Sequence, residues 1–106
     1  MKLPLRQAIR QSTFLLDGGT GEELFAHGVL DDRKIWSATA VVQPEYHATL
    51  KNVHKSFLDA GADAITTNTY GIIPGVGFET DEITLLCDTT GQLARQVVDD
   101  YSNKYV

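Results

Sequence analysis

Residues Asp17-Gly18-Gly19-Thr20-Gly21-Glu22-Glu23 follow the apolar run Phe14-Leu15-Leu16, which reads as a buried strand. An aspartate leaving a strand, ahead of glycines and a helix start, can do two kinds of chemistry. Its carboxylate can accept from a ligand ammonium, and the N–H groups of Gly18, Gly19 and Thr20 can hold a ligand carboxylate. An α-amino acid carries both groups. The same residues would equally serve a plain strand-to-helix turn, where Asp caps and Gly supplies unusual dihedrals. A second polar cluster, Thr67-Asn68-Thr69-Tyr70, follows the apolar Ala64-Ile65. Polar groups at the carboxyl end of a strand face the mouth of a barrel rather than its core. Here the competing reading is a strand exit satisfied by its own side chains.

Trp36 is the sole tryptophan. In a loop it can form an apolar wall for a methyl donor or a thioether, and an onium donor would gain a cation–π contact. It would serve equally as a loop anchor. The other reactive residue types offer less. His47 and His54 are seven apart, which separates them by about 10.5 Å along a helix axis, too far to share one metal. His27 closes a short helix, where a cation suits the dipole. All three histidines are expected to be structural or solvent-facing. Cys87 lies on an apolar stripe and reads as a small core residue rather than a ligand.

The elements that must position these groups follow from spacing. A strand is expected over 13–16 and a helix over 21–27, with Thr20 and Glu23 as a capping box and Gly28 as its stop. Pro44 and Glu45 suit a helix start. Tyr46, Leu50, Val53 and Phe57 then form one helical face, ended by Gly61. A second strand is expected over 64–67. Thr80 would cap a last helix carrying Ile83, Leu86, Cys87, Leu93, Ala94, Val97 and Val98 on one stripe. Lys104-Tyr105-Val106 would begin a third strand. Strands alternating with helices predict a parallel sheet with right-handed crossovers. Residues 1–12 form a lead-in segment, read as a short helix at the bottom of a barrel rather than a transit peptide. No boundary divides residues 13–106.

At 106 residues, 42% hydrophobic and 22% charged, the chain suits one modest soluble domain. A net charge of −5 without a basic stripe argues against nucleic acid and anionic membranes as partners. No apolar run approaches the ~20 residues of a membrane span. A single cysteine excludes an internal disulfide and fits a reducing compartment, so a cytoplasmic location is expected.

Phe14-Leu15-Leu16-Asp17-Gly18-Gly19-Thr20-Gly21, Ile35-Trp36-Ser37, Pro44-Glu45, Val53-His54 and Ala60-Gly61-Ala62-Asp63 through Thr67-Asn68-Thr69-Tyr70 together resemble the start of the homocysteine S-methyltransferase family. The resemblance spans about Phe14 to Arg95. It implies the N-terminal β-α-β-α portion of a (β/α)₈ barrel, and methyl transfer to the homocysteine thiol to give methionine. It implies that Asp17, Gly18, Gly19 and Thr20 lie at the homocysteine-binding strand end. Thr67, Asn68, Thr69 and Tyr70 would lie at the second strand end, with Trp36 near the methyl donor. It also implies zinc held by three cysteine thiolates, one from mid-barrel and two adjacent near the C-terminus.

A whole barrel of this type takes ~250 residues. Cys87 matches none of the implied zinc ligands, so this chain is expected to hold no zinc and to be inactive alone. Its partners would be homocysteine, a methyl donor and the remainder of the barrel, or further copies of itself. The donor stays open among S-methylmethionine, S-adenosylmethionine, betaine and methylfolate. Exposed apolar surface is expected at Val53, Phe57, Ile83, Leu86 and Val97. Two other readings remain: a non-catalytic relic or interaction module, and an unrelated barrel enzyme whose glycine turn binds a phosphate or carboxylate.

Overall fold

Apolar periodicity places two helices at the centre of the molecule. The computed structural model describes residues 2–106. Its helices are α1 (Leu5–Gln11), α2 (Thr20–Ala26), α3 (Thr39–Val42), α4 (His47–Asp59) and α5 (Thr80–Val98), with a 3-10 turn at Pro44–Tyr46. On α4 the buried residues are Leu50, Val53, His54 and Leu58; on α5 they are Thr90, Leu93, Ala94, Val97 and Val98. These faces pack on each other and divide the core in two. One cluster joins Leu24 of α2, Val41 of α3, Leu50, Val53 and Leu93. The other joins Leu58, Ile65, Ala94, Val97 and Val98.

Helix ends follow the glycines and depart from the expected starts. Gly28 and Gly61 both have positive φ, at 92° and 115°. After α2, Val29 N–H donates to Leu24 O and Gly28 N–H to Phe25 O. After α4, Ala62 N–H donates to Phe57 O and Gly61 N–H to Leu58 O. Each pair is a Schellman closure, for which glycine carries no Cβ penalty. The Thr20–Glu23 capping box does not form. Gly19 is the N-cap of α2, and Glu23 bonds His27 instead. Thr80 does not cap α5 either. Glu79 does so, in a reciprocal capping box with Glu82. A carboxylate one residue earlier takes the role, with its charge at the positive end of the helix.

Three short extended segments run side by side. Leu16 bridges Ala64 in parallel, and Ala64 bridges Tyr105 in parallel, so the 64 segment lies in the middle. Asp17 N–H donates to Ala64 O at 3.1 Å, Ile65 N–H to Tyr105 O at 2.9 Å, and Tyr105 N–H to Asp63 O at 3.0 Å. Helices lie between successive segments, so both connections are crossovers. Pairing stays at isolated bridges instead of the four-residue strands expected over 13–16 and 64–67.

The run Phe14-Leu15-Leu16 is not buried as expected. Leu15 and Leu16 are 55% and 63% exposed. Parallel strands are buried when both faces are covered, and the 14–16 segment is an edge, bridged on one side only, by Ala64. Conversely, Val53 and Val97 are buried, because α4 and α5 cover each other, and Phe57, Ile83 and Leu86 are partly covered. Exposed apolar side chains lie instead on the 14–16 segment (Leu15, Leu16), on α5 (Leu85), in the loops (Leu30, Trp36, Tyr70, Ile73) and on α1 (Leu5, Ile9). That lead-in helix has no buried residue and is tied down by Tyr105, whose hydroxyl donates to Leu3 O.

Candidate functional site

Asp17 joins the ends of the first two segments. Its Oδ2 accepts from Thr66 N–H at 2.9 Å and from Thr20 Oγ1 at 3.4 Å, and its Oδ1 accepts from Thr66 Oγ1 at 2.9 Å. An ionised carboxylate offers about four acceptor sites, so capacity for one further donor remains. Thr20 N–H is not available to a ligand, because it donates to Gly18 O. The N–H groups of Gly18 and Gly19 make no hydrogen bond among the described residues. The turn rests on α4. A Cβ on Gly18 would lie 3.3 Å from Phe57 Cε1.

Trp36 ends a tight turn begun by Asp32. Asp32 Oδ1 accepts from Lys34 N–H at 2.7 Å and from Ile35 N–H at 3.2 Å, an arrangement typical of aspartate at turn starts. Trp36 itself has φ 56°, which is left-handed backbone for a bulky residue. Such a residue stores of order 1–3 kcal/mol of strain and persists only when its surroundings fix it. Its ring meets Tyr70 with centroids 5.6 Å apart and planes tilted by 58°. Both rings are open to solvent, 54% and 77% exposed. Gly71 permits this approach: a Cβ there would lie 1.9 Å from Ile35 O.

Between these parts lies an open cleft of about 380 Å³. Asp17, Gly18, Thr20, Trp36, Thr67, Asn68 and Tyr70 line it together. Gly19 and Thr69 lie outside its lining. Gly19 is the N-cap of α2, and Thr69 folds its hydroxyl toward that of Thr67 at 3.3 Å. Leu16, Gly21, Ser37 and Thr66 also line the cleft and are not among the expected site residues. For Thr66 a signal existed. Ile65 is core, and strand alternation puts its neighbour on the other face. A roomier cleft, about 500 Å³, opens at the other end of the segments beside Lys2 and Phe14. None of the residues singled out for chemistry lines it.

The histidines separate. His27 Nε2 meets Glu23 at 3.0 Å on the surface, and His47 Nε2 meets Val41 O at 2.7 Å. His54 is fully buried, and both its ring nitrogens lack a hydrogen-bond partner. Burial holds its pKa below the ordinary histidine value, with the Asp17 charge opposing. Cys87, a free thiol, packs half-buried against the first core cluster. Among the described residues no three of His, Cys, Asp and Glu stand together as a metal-binding group. The residues here do not fit the implied three-thiolate zinc site. No described helix is long and apolar enough to cross a membrane.

A segment-end carboxylate, the free Gly18 N–H and an exposed aromatic pair thus converge on one cleft, with Gly19 beside its edge. A model of the homocysteine S-methyltransferase family matches residues 14–106. Homocysteine S-methyltransferase 1 of Brassica oleracea var. italica and its namesake in Arabidopsis thaliana are each 33% identical over 95 residues. In both cases the match covers 85% of this chain and 28% of the relative. Homocysteine S-methyltransferase 4 of Zea mays is 38% identical over 72 residues, covering 64% of this chain and 20% of the relative. No solved structure matches. This chain therefore spans little more than a quarter of the length of the first two relatives, and it belongs to the homocysteine S-methyltransferase family.

Proposed function

We propose that this chain is the N-terminal β-α-β-α portion of a (β/α)₈ barrel that transfers a methyl group to the homocysteine thiol. Its cleft would hold the amino-acid end of homocysteine. The observation that carries this reading is the Asp17 carboxylate, placed across two parallel segment ends with one acceptor site left, beside the free N–H groups of Gly18 and Gly19. The substrate ammonium would donate to Asp17, and its carboxylate would accept from Gly18 and Gly19. Trp36 and Tyr70 stand across the cleft as an electron-rich wall. A sulfonium or quaternary ammonium donor gains from such faces. These residues bind and orient. Thiol activation, which the resemblance assigns to zinc on cysteines, is assigned here to none of these residues.

Titration of the chain with homocysteine, followed by amide NMR, tests the reading. Saturable shifts are expected at Gly18, Gly19 and Thr66, at millimolar ligand or above, because few hydrogen bonds must offset the ordering costs. N-acetyl-homocysteine, which lacks the ammonium, should not produce them. Equal shifts with both compounds would sink the assignment of Asp17.

A further inference from the structure

Asn68 is one of the residues expected to touch a ligand, yet its side chain is committed inside the protein. It is only 6% exposed. Its Nδ2 donates to Ser37 O at 2.8 Å, and its Oδ1 accepts from Ser37 Oγ at 2.9 Å. The orientation of the amide is fixed chemically. Ser37 O carries no proton, so the atom facing it must be the donor. The Asn68 N–H in turn donates to Thr90 Oγ1 at 3.2 Å, and Thr90 is a fully buried residue of α5. Asn68 is thus anchored to the core on one side and grips Ser37 on the other. Ser37 directly follows Trp36, the described non-glycine residue with positive φ.

We propose that Asn68 is a positioning residue: its paired hydrogen bonds to Ser37 hold Trp36 in its strained backbone conformation, against Tyr70. Left-handed backbone at a bulky residue relaxes unless neighbours over-determine it. Two neighbours do so here. Gly71 brings its own backbone close against the Ile35 carbonyl on one side, and Asn68 holds Ser37 on the other. Only the further consequence, that the held ring pair serves a methyl donor, rests on the function proposed above.

The single tryptophan makes the test direct. Trp36 fluorescence anisotropy, acrylamide quenching and near-ultraviolet circular dichroism report the ring, while far-ultraviolet dichroism reports the helices. Asn68→Ala and the near-isosteric Asn68→Asp should lower anisotropy and raise the quenching constant roughly twofold or more, as a held ring becomes a mobile one. Both should lose the near-ultraviolet signal of the pair while helix content stays. Ser37→Ala keeps the bond from Asn68 to the backbone carbonyl and should fall between. Thr90→Val removes the anchor without touching the grip and should change quenching less than Asn68→Ala. Unchanged quenching in both Asn68 variants would overturn the proposal, as would Thr90→Val matching them. S-methylmethionine is the sulfonium probe for the donor reading. If it leaves wild-type emission unmoved while Asn68→Ala still frees the ring, the donor reading falls and the positioning role stands.

Discussion

Replacing Asp17 by alanine removes the side chain that joins the first two segment ends. Two charge-assisted bonds to Thr66, each 2.9 Å, are lost together with the longer contact from Thr20. Hydrogen bonds to charged groups contribute about 1.5–3 kcal/mol each. Thr66 is exposed, so water replaces much of what is lost. A net cost of about 2 kcal/mol is expected on that basis. For a chain near this length 1 kcal/mol moves the melting temperature by roughly 4–8 °C, so the shift should be roughly 8–16 °C. Asp17→Asn should cost about half as much, since its carbonyl can still accept from Thr66 N–H and the Thr66 hydroxyl can rotate to accept. Adding Thr66→Val to Asp17→Ala should cost little more, because the two residues share one interaction. Thermal melts followed by far-ultraviolet dichroism measure all three. Equal melting of wild type and Asp17→Ala would refute the argument.

Gly71→Ala would set a methyl 1.9 Å from the Ile35 carbonyl oxygen, where backbone must move. A cost of about 3 kcal/mol and a loss of Trp36 near-ultraviolet signal are expected, and an unchanged melt would disprove the close approach. His54 is buried, and its folded pKa lies below 6.5. As pH falls below that value the unfolded chain takes up a proton that the folded chain refuses. Stability should therefore drop, by at most about 1.4 kcal/mol per pH unit. His54→Gln should flatten that part of the pH dependence measured by urea unfolding; an identical slope would exclude His54 as its source. Elemental analysis of the purified chain should give well under one zinc per chain, and a methionine-formation assay should give no turnover. Stoichiometric zinc would contradict the residue inventory, in which Cys87 is the sole cysteine.

Helix positions were legible wherever period and punctuation agreed. Leu50 and Val53 announced α4, and Gly28 and Gly61 announced two helix ends through the one property that distinguishes glycine, a cheap positive φ. Helix starts were less legible. Several polar residues near Thr20 and Thr80 could cap, and tertiary contacts decided among them: Asp17 drew the Thr20 hydroxyl away, and Glu79 preceded Thr80. The short helix α3 was not anticipated, since four residues carry too little periodicity to read. Burial of 14–16 was misjudged because composition reports what a segment can bury, and only tertiary structure reports what covers it. Asp17, Trp36 and Tyr70, whose types carry their chemistry openly, line one cleft. The grip of Asn68 on Ser37 joins residues 31 apart, and no local pattern encodes it.

That grip changes how the site divides its labour. Asp17 and Asn68 are both polar residues at segment ends, yet their surroundings set them apart. Asp17 is half-buried and retains an unused acceptor beside two free glycine N–H groups, so it can serve fold and ligand together. Asn68 is buried and spends its amide on Ser37, so the role proposed for it acts through Trp36. A strained aromatic turn held by a buried amide is cheap to release and sensitive to one substitution. A carboxylate tied to a neighbouring segment is harder to displace and insensitive to the loop. On the proposed function, recognition of the amino-acid end and placement of the aromatic wall are therefore separable. Asn68→Ala should free the ring without disturbing the Gly18 and Gly19 amides, and Asp17→Asn should alter those amides without freeing the ring. Amide NMR and Trp36 quenching on the two variants read the two halves independently. If either substitution moved both signals equally, the cleft would be one cooperative unit and this division would fail.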